Sequence, residues 1–256
     1  MKRFSVVIPA YNAGPAIERT VRSAVNQQRT IPRSDFEVIV VDNNSKDQTA
    51  YFAKLGGADK VVKELQKGTN YARNRGYLES RGEIVCFLDA DCIAPENWLL
   101  KIDRIFNDPK VQACGGPYDY GFSGLKAAAD VTYTRVIFPL VIGFLGLFKP
   151  TAILIGGNFA VRRSAIEKIG GIPLVTYWGD DALVATLVRR MVGKVRFVSN
   201  LNVKSAHDRF DDKGFFRLAI GYARAFFRVW KGVPRHPKRE DVPKTIDKIF
   251  KTPLKN

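Results

Sequence analysis

Two carboxylates one residue apart, Asp89 and Asp91 around Ala90, close the apolar run Ile84-Val85-Cys86-Phe87-Leu88. Alternate side chains of an extended backbone point the same way, so both carboxylates share one side of the chain. A hard divalent cation suits such a pair, because it takes oxygen ligands and can hold a diphosphate against them. Pairs of this spacing also occur in solvated turns, and their meaning depends on what accompanies them. Here Val6-Val7-Ile8-Pro9-Ala10 runs into Tyr11 and Asn12, and Val38-Ile39-Val40-Val41 runs into Asp42-Asn43-Asn44-Ser45. The segments Ala72-Arg73-Asn74-Arg75-Gly76, Gly156-Gly157-Asn158 and Trp178-Gly179-Asp180-Asp181 follow in that order. Asp42 caps a strand otherwise made of Val and Ile, so its charge must face a partner or solvent.

The elements that position these groups are legible over the first 116 residues. Short β-branched runs at 4–8, 37–41, 60–63, 84–88 and 111–116 read as strands, with helices near 14–28, 47–56, 69–80 and 96–107. That alternation predicts an α/β fold, a Rossmann-like, mostly parallel sheet with helices on both faces. Ligands of such sheets bind beyond the carboxyl ends of the strands, where Asn12, Asp42 and Asp89 fall. Asn44 or Ser45 is expected to cap the helix after the second strand. Beyond residue 116 the clear alternation is lost.

Taken together and in this order, the quoted segments resemble the family 2 glycosyltransferases over about residues 4–208. The resemblance implies a GT-A fold and an inverting transfer from a UDP- or GDP-linked sugar to an acceptor hydroxyl. It also implies the roles of individual residues. Pro9, Tyr11 and Asn12 would lie beside the nucleotide base, Asp42 and Asn44 would meet the base or ribose, and Arg73, Asp89 and Ala90 would complete the nucleotide side. Asp91 would hold a divalent metal, Mg²⁺ or Mn²⁺, with His207 as a further ligand. Gly157, Asn158, Trp178 and Asp180 would lie near the donor sugar and the acceptor, with Asp181 as general base. The family usually shows Glu-Asp at this last place; the departure falls on Asp180 and not on Asp181.

Two other classes are weighed against this one. A nucleotidyltransferase would carry a Gly-rich, Lys/Arg-bearing loop after the first strand, and Tyr11-Asn12-Ala13-Gly14-Pro15 is poor in that respect. A non-enzymatic basic module for membrane or nucleic acid suits the net charge of +16. It leaves Asp42, Asp89, Asp91, Asp180 and Asp181 without a purpose, so no nucleic-acid partner is expected.

At 256 residues the chain fits one catalytic domain, 1–212, with a nucleotide-binding half to about 115 and an acceptor half to about 212. A basic amphipathic tail, 213–256, holds 12 Lys/Arg against Glu240, Asp241 and Asp247, a net of +9 that leaves +7 for the rest. Three cysteines without a CxxC pair argue against a disulfide framework and suit a reducing compartment. The apolar stretch after Met1-Lys2-Arg3 is cut by Pro9, Tyr11 and Asn12, and reads as a strand rather than a leader.

Residues 136–148 form an apolar run too short to span a bilayer, either a buried core helix or an interfacial segment. Residues 215–230 place Arg217, Arg224, Arg228 and Lys231 in one stripe opposite a broad aromatic face that must be covered, by lipid, by the domain or by a second subunit. The expected setting is cytoplasmic and peripheral, at the cytoplasmic face of a membrane, with a lipid-linked or membrane-borne glycan as acceptor.

Overall fold

The computed structural model describes residues 2–121, 132, 136, 138–175, 179–205 and 215–250. The β-branched runs become strands β1 (Phe4–Ala10), β2 (Phe36–Asp42), β3 (Lys60–Lys63) and β4 (Ile84–Leu88), joined by α1 (Ala16–Val25), α2 (Thr49–Leu55) and α3 (Thr69–Glu79). Then come β5 (Cys92–Ile93), α4 (Trp98–Phe106), β6 (Val111–Gly115), β7 (Tyr118–Asp119), α5 (Phe138–Phe148), β8 (Asn158–Arg162) and α6 (Arg163–Ile169). The chain continues through α7 (Asp180–Met191), β9 (Lys194–Phe197), β10 (Val203–Ser205), α8 (Phe215–Gly232) and α9 (Val242–Phe250).

Seven strands form one sheet in the order β3-β2-β1-β4-β8-β6-β9. The pairs β1–β2, β1–β4, β2–β3 and β6–β9 are parallel, and β8 runs antiparallel between β4 and β6. Strand alternation sorts the core into two layers. Val7, Ile39, Val41 and Phe87 pack with α3, α6, α7, α8 and α9 on one face, and Ile8, Val40, Cys86 and Leu88 pack with α1 and α4 on the other. Both faces are buried, as continuous rather than alternating apolar strands require. Pro9 falls beyond the last β1–β4 pairing, Val7 with Phe87, where the ladder needs no donor on that side.

A smaller sheet, β5-β10-β7, stands beside the carboxyl end of β4. Cys86, Cys92 and Cys114 are buried and unpaired. Burial pushes the Cys114 thiol up to about 12 and the Cys86 thiol well above its ordinary value, which makes both inert.

Three expectations change. Helix α2 begins at Thr49, whose backbone N–H donates to Asp47 Oδ1 at 3.1 Å. Ser45 instead braces the loop before it, its Oγ accepting the Asn12 N–H at 3.0 Å, and Asn44 turns that loop with a left-handed φ of 61°. Helix α5 is no core helix: Leu145 is buried, but Leu140, Phe144, Leu147 and Phe148 stand exposed along a segment without a charge. Helix α8 packs on the domain through Phe226 and Val229, which are buried in the layer that includes α7 and α9, while Tyr222 and Phe227 stand exposed.

Candidate active site

A cleft of about 520 Å³ opens at the carboxyl ends of β1 and β4. Pro9, Tyr11, Asn12, Arg73, Asp89, Ala90, Asp91, Asp180 and Asp181 line it, so groups up to about 170 residues apart in sequence meet in one place. Strand ends supply the first group and Asp89 to Asp91. Helix α3 supplies Arg73, and the first turn of α7 supplies Asp180 and Asp181. Carboxylates at a helix N-terminus are favoured by its unpaired N–H groups and dipole. Gly179 starts that helix with φ of 103°, a left-handed conformation that glycine adopts without strain.

Arg73 is the hub. It is 4% exposed, and its guanidinium donates from Nη1 to Asp180 Oδ2 at 2.6 Å and from Nη2 to Asp89 Oδ1 at 3.1 Å and the Gly156 carbonyl at 2.6 Å. Burial works against its charge, and Asp180 followed by Asp89 outweigh that, holding it protonated above the usual arginine range. Arg73 also accounts for the difference between the two carboxylates of α7. Asp180 is neutralised by the guanidinium, whereas Asp181 accepts only backbone N–H bonds, from Ala182 at 2.7 Å and from Gly156. Burial, and then the charge of Asp180, push the Asp181 carboxyl up to about 7. A carboxyl poised there exchanges a proton readily at neutral pH.

Asp89 has both oxygens engaged, Oδ1 by Arg73 and Oδ2 by the Tyr118 hydroxyl at 2.9 Å. The same hydroxyl accepts the Gly157 N–H at 2.7 Å, and the Gly157 carbonyl accepts the Asp89 N–H at 3.2 Å. The knot leaves no room for a side chain at Gly157, since a Cβ there would lie 2.2 Å from the Asp89 carboxylate and 2.4 Å from the Tyr118 hydroxyl. Tyr118 escapes sequence reasoning because it sits on a two-residue strand in the region where the alternation is lost. Losing its hydroxyl strands both a carboxylate oxygen and an amide, each worth about 1 kcal/mol or more. Tyr118→Phe is therefore expected to lower the melting temperature by about 4–8 °C in calorimetry; a change below 1 °C would contradict the role given to this hydroxyl.

Among the other expected site residues, Asn158, Asp42 and Asn44 are not part of the cleft lining, whereas Tyr11 and Asn12 are. Asn158 is wholly buried: its Oδ1 accepts from Trp98 Nε1 at 2.9 Å, and its Nδ2 donates to the carbonyls of Pro117 at 3.2 Å and Leu201 at 2.5 Å. With its amide so engaged it faces the core, not a sugar. Asp42 Oδ1 accepts the Ser45 N–H at 3.0 Å. Asn12 and Asn44 both take the left-handed conformation that Asn tolerates. The side-chain oxygen of Asn12 accepts the Lys46 N–H at 2.9 Å. Tyr11 is 48% exposed, with Lys67 Nζ 5.5 Å from its ring centre, an open aromatic platform beside a cation. Trp178 and His207 lie outside the described residues.

The family model for glycosyl transferase family 2 matches residues 5–170. The chain belongs to this family. It is 29% identical over 184 residues to glycosyltransferase AglE of Haloferax volcanii, which covers 69% of this chain and 58% of that protein. It is 33% identical over 201 residues to the probable glycosyltransferase YdaM of Bacillus subtilis, covering 72% of this chain and 44% of that one. The chain thus spans about half the length of the curated relatives it matches. Among solved structures, the mannosyltransferase PcManGT of Pyrobaculum calidifontis, in complex with GDP-Man and Mn²⁺, superposes with a TM-score of 0.72 at 23% identity, over 96% of this chain and 69% of that one. Glucosyl-3-phosphoglycerate synthase of Mycobacterium tuberculosis, with Mn²⁺, UDP-glucose and phosphoglyceric acid, superposes at 0.58 with 21% identity, over 91% and 81%. The fold is GT-A.

Proposed function

We propose that the cleft takes a UDP- or GDP-linked sugar and transfers the sugar to an acceptor hydroxyl with inversion. The observation that carries the reading is the division of labour on α7: Asp180 is neutralised by Arg73, and Asp181, held near 7, lines the cleft as the available base. Asp181 takes the acceptor proton as the acceptor oxygen bonds to the anomeric carbon. The bond from that carbon to the diphosphate oxygen breaks on the opposite face, and its electron pair leaves with the diphosphate. Tyr11 offers the base a stacking surface, and the Arg73 to Asp89 pair fixes the wall beside the ribose. The nucleotide sugars bound by the two superposed enzymes support this class of donor.

The residues present fit a divalent metal. Asp91 lines the cleft and has no cationic partner among the described residues, whereas both oxygens of Asp89 are engaged. Oxygen ligands suit Mg²⁺ or Mn²⁺. No group of three ligating side chains occurs among the described residues. Asp91 would hold the ion, with His207 proposed as a further ligand, and the ion would neutralise diphosphate charge. Proton NMR of the sugar released during slow donor hydrolysis tests the stereochemistry: the first anomer formed should be inverted, and initial release of the retained anomer would overturn the reading.

We also propose that the acceptor is membrane-borne or lipid-linked and that the protein meets the bilayer peripherally, at its cytoplasmic face. No helix among the described residues is long and apolar enough to cross a membrane. Support for the contact comes from α5. Its exposed Leu140, Phe144, Leu147 and Phe148 end at Lys149, whose ammonium lies 5.5 Å from the Trp230 ring centre and donates to the Lys231 carbonyl at 3.4 Å. An apolar surface rimmed by aromatic and cationic groups suits an anionic leaflet. Phe144→Glu/Leu147→Glu is expected to weaken sedimentation with phosphatidylglycerol vesicles at least tenfold; unchanged binding would exclude α5 as the contact.

A further inference from the structure

The main cleft presents a charge problem to the donor just proposed. Asp89, Asp91, Asp180 and Asp181 line it, and its arginine, Arg73, is already taken by two of those carboxylates. A departing diphosphate gains negative charge as the anomeric bond breaks, and electrostatic groups aimed at such charge are among the strongest contributors to catalysis. The described cations that adjoin Asp91 without being neutralised lie on its other side.

There a second cavity, of about 280 Å³, shares Ala16 and Asp91 with the cleft and is lined by Arg19, Thr20, Lys204 and Ser205. Three segments build it. The Thr20 hydroxyl donates to the Ala90 carbonyl at 2.8 Å and fastens α1 to the turn that carries Asp89 and Asp91. Strand β5 follows that turn directly, and β10 pairs antiparallel with it, Lys204 opposite Ile93 and Ser205 opposite Cys92. The register puts Ser205 beside the turn and Lys204 one residue further along, and both line the cavity together with Arg19. The Arg19 and Lys204 side chains are exposed, and neither makes an ion pair or hydrogen bond among the described residues. On the same helix Arg22 by contrast pairs with Glu18 at 2.8 Å.

We propose that this cavity seats a phosphate group, gripped by Arg19 and Lys204 across Asp91. Arginine matches phosphate oxygens with a planar fork and lysine with a point charge. The inference rests on the donor reading above, which makes the sugar nucleotide's diphosphate the source expected; a phosphate carried by the acceptor would present the same chemistry. In the transfer step the two cations receive the charge that arrives on the diphosphate oxygen when its bond to the anomeric carbon breaks. The acceptor proton goes to Asp181, so no other reactant is needed.

The test uses the full chain with Mn²⁺ and the variants Arg19→Gln, Lys204→Gln and their double. Calorimetric titration with UDP and GDP, with UMP and GMP, and with glycerol phosphate separates the possibilities, and unchanged melting temperatures are expected because both side chains are exposed and unpaired. Each substitution should cost about tenfold in affinity for the nucleoside diphosphate, with monophosphate affinity changed less than threefold. Loss of glycerol phosphate binding with diphosphate affinity intact would assign the seat to an acceptor phosphate. Wild-type affinity of the double variant for every phosphate ligand would overturn the proposal. Failure of the wild-type protein to bind either nucleoside diphosphate would instead sink the donor reading, and the seat would then be judged on glycerol phosphate alone.

Discussion

Asp181→Asn is expected to lower turnover by about 10²–10⁴-fold, the range that positioned proton transfer supplies, while donor affinity stays within a few-fold of wild type. The amide keeps the size of the carboxylate and cannot accept the proton. In the wild-type protein, kcat/KM should fall tenfold per pH unit below about 7, where the Asp181 carboxyl becomes protonated. The same group sets a stability trend of definite sign. Its folded-state value lies above the ordinary 3.8, so between about pH 4 and 7 the native protein holds a proton that the unfolded chain has lost. Stability therefore declines as pH rises through that window, and Asp181→Asn should remove the decline. Melting temperatures taken from pH 4 to 8 check this. An active Asp181→Asn beside an inactive Asp180→Asn would reverse the two roles.

Arg73→Met carries the other large effect. It leaves Asp89 and Asp180 partly buried without their common cation, and breaking such a pair costs about 3–5 kcal/mol. The melting temperature should fall by on the order of 10 °C, with donor binding lost as the wall around Asp89 relaxes. Arg73→Lys should recover only part, because a single ammonium cannot reproduce the fork that reaches two carboxylates and the Gly156 carbonyl. A methionine variant that melts within 2 °C of wild type would show that the ion cluster is not what holds the cleft.

How much of this was visible in advance follows from the range of the interactions. Strands β1 to β4 announce themselves because each is a local run of β-branched residues, and Asp42 and Asp89 stand out as charges at the ends of such runs. Asp89, Asp91, Asp180 and Asp181 are all singled out by the sequence, and all four line the one cleft. What was not legible is who faces whom. Nothing near Arg73 in sequence says that it reaches Asp180 at a separation of 107 residues. Tyr118 carries no local pattern, and Asn158 looks like a ligand-binding amide until Trp98, Pro117 and Leu201 are found around it. Helices α5 and α8 stay open in the sequence for the same reason: composition shows that a face is apolar, and only packing shows which face is covered.

The central claim, that a metal-dependent nucleotide sugar site lies at Asp91, meets its most direct test in a thermal-shift titration of nucleoside diphosphates and their sugars with Mn²⁺ or chelator, for wild type and Asp91→Asn. Binding to the native state alone stabilises by mass action, about 2.7 kcal/mol at a hundredfold excess over Kd, which is several degrees for a chain of this size. Wild type should show that rise with a UDP- or GDP-linked ligand in Mn²⁺ and lose most of it in chelator, and Asp91→Asn should show the chelator result under both conditions. Equal stabilisation with and without metal, or none from any nucleoside diphosphate, would contradict the account.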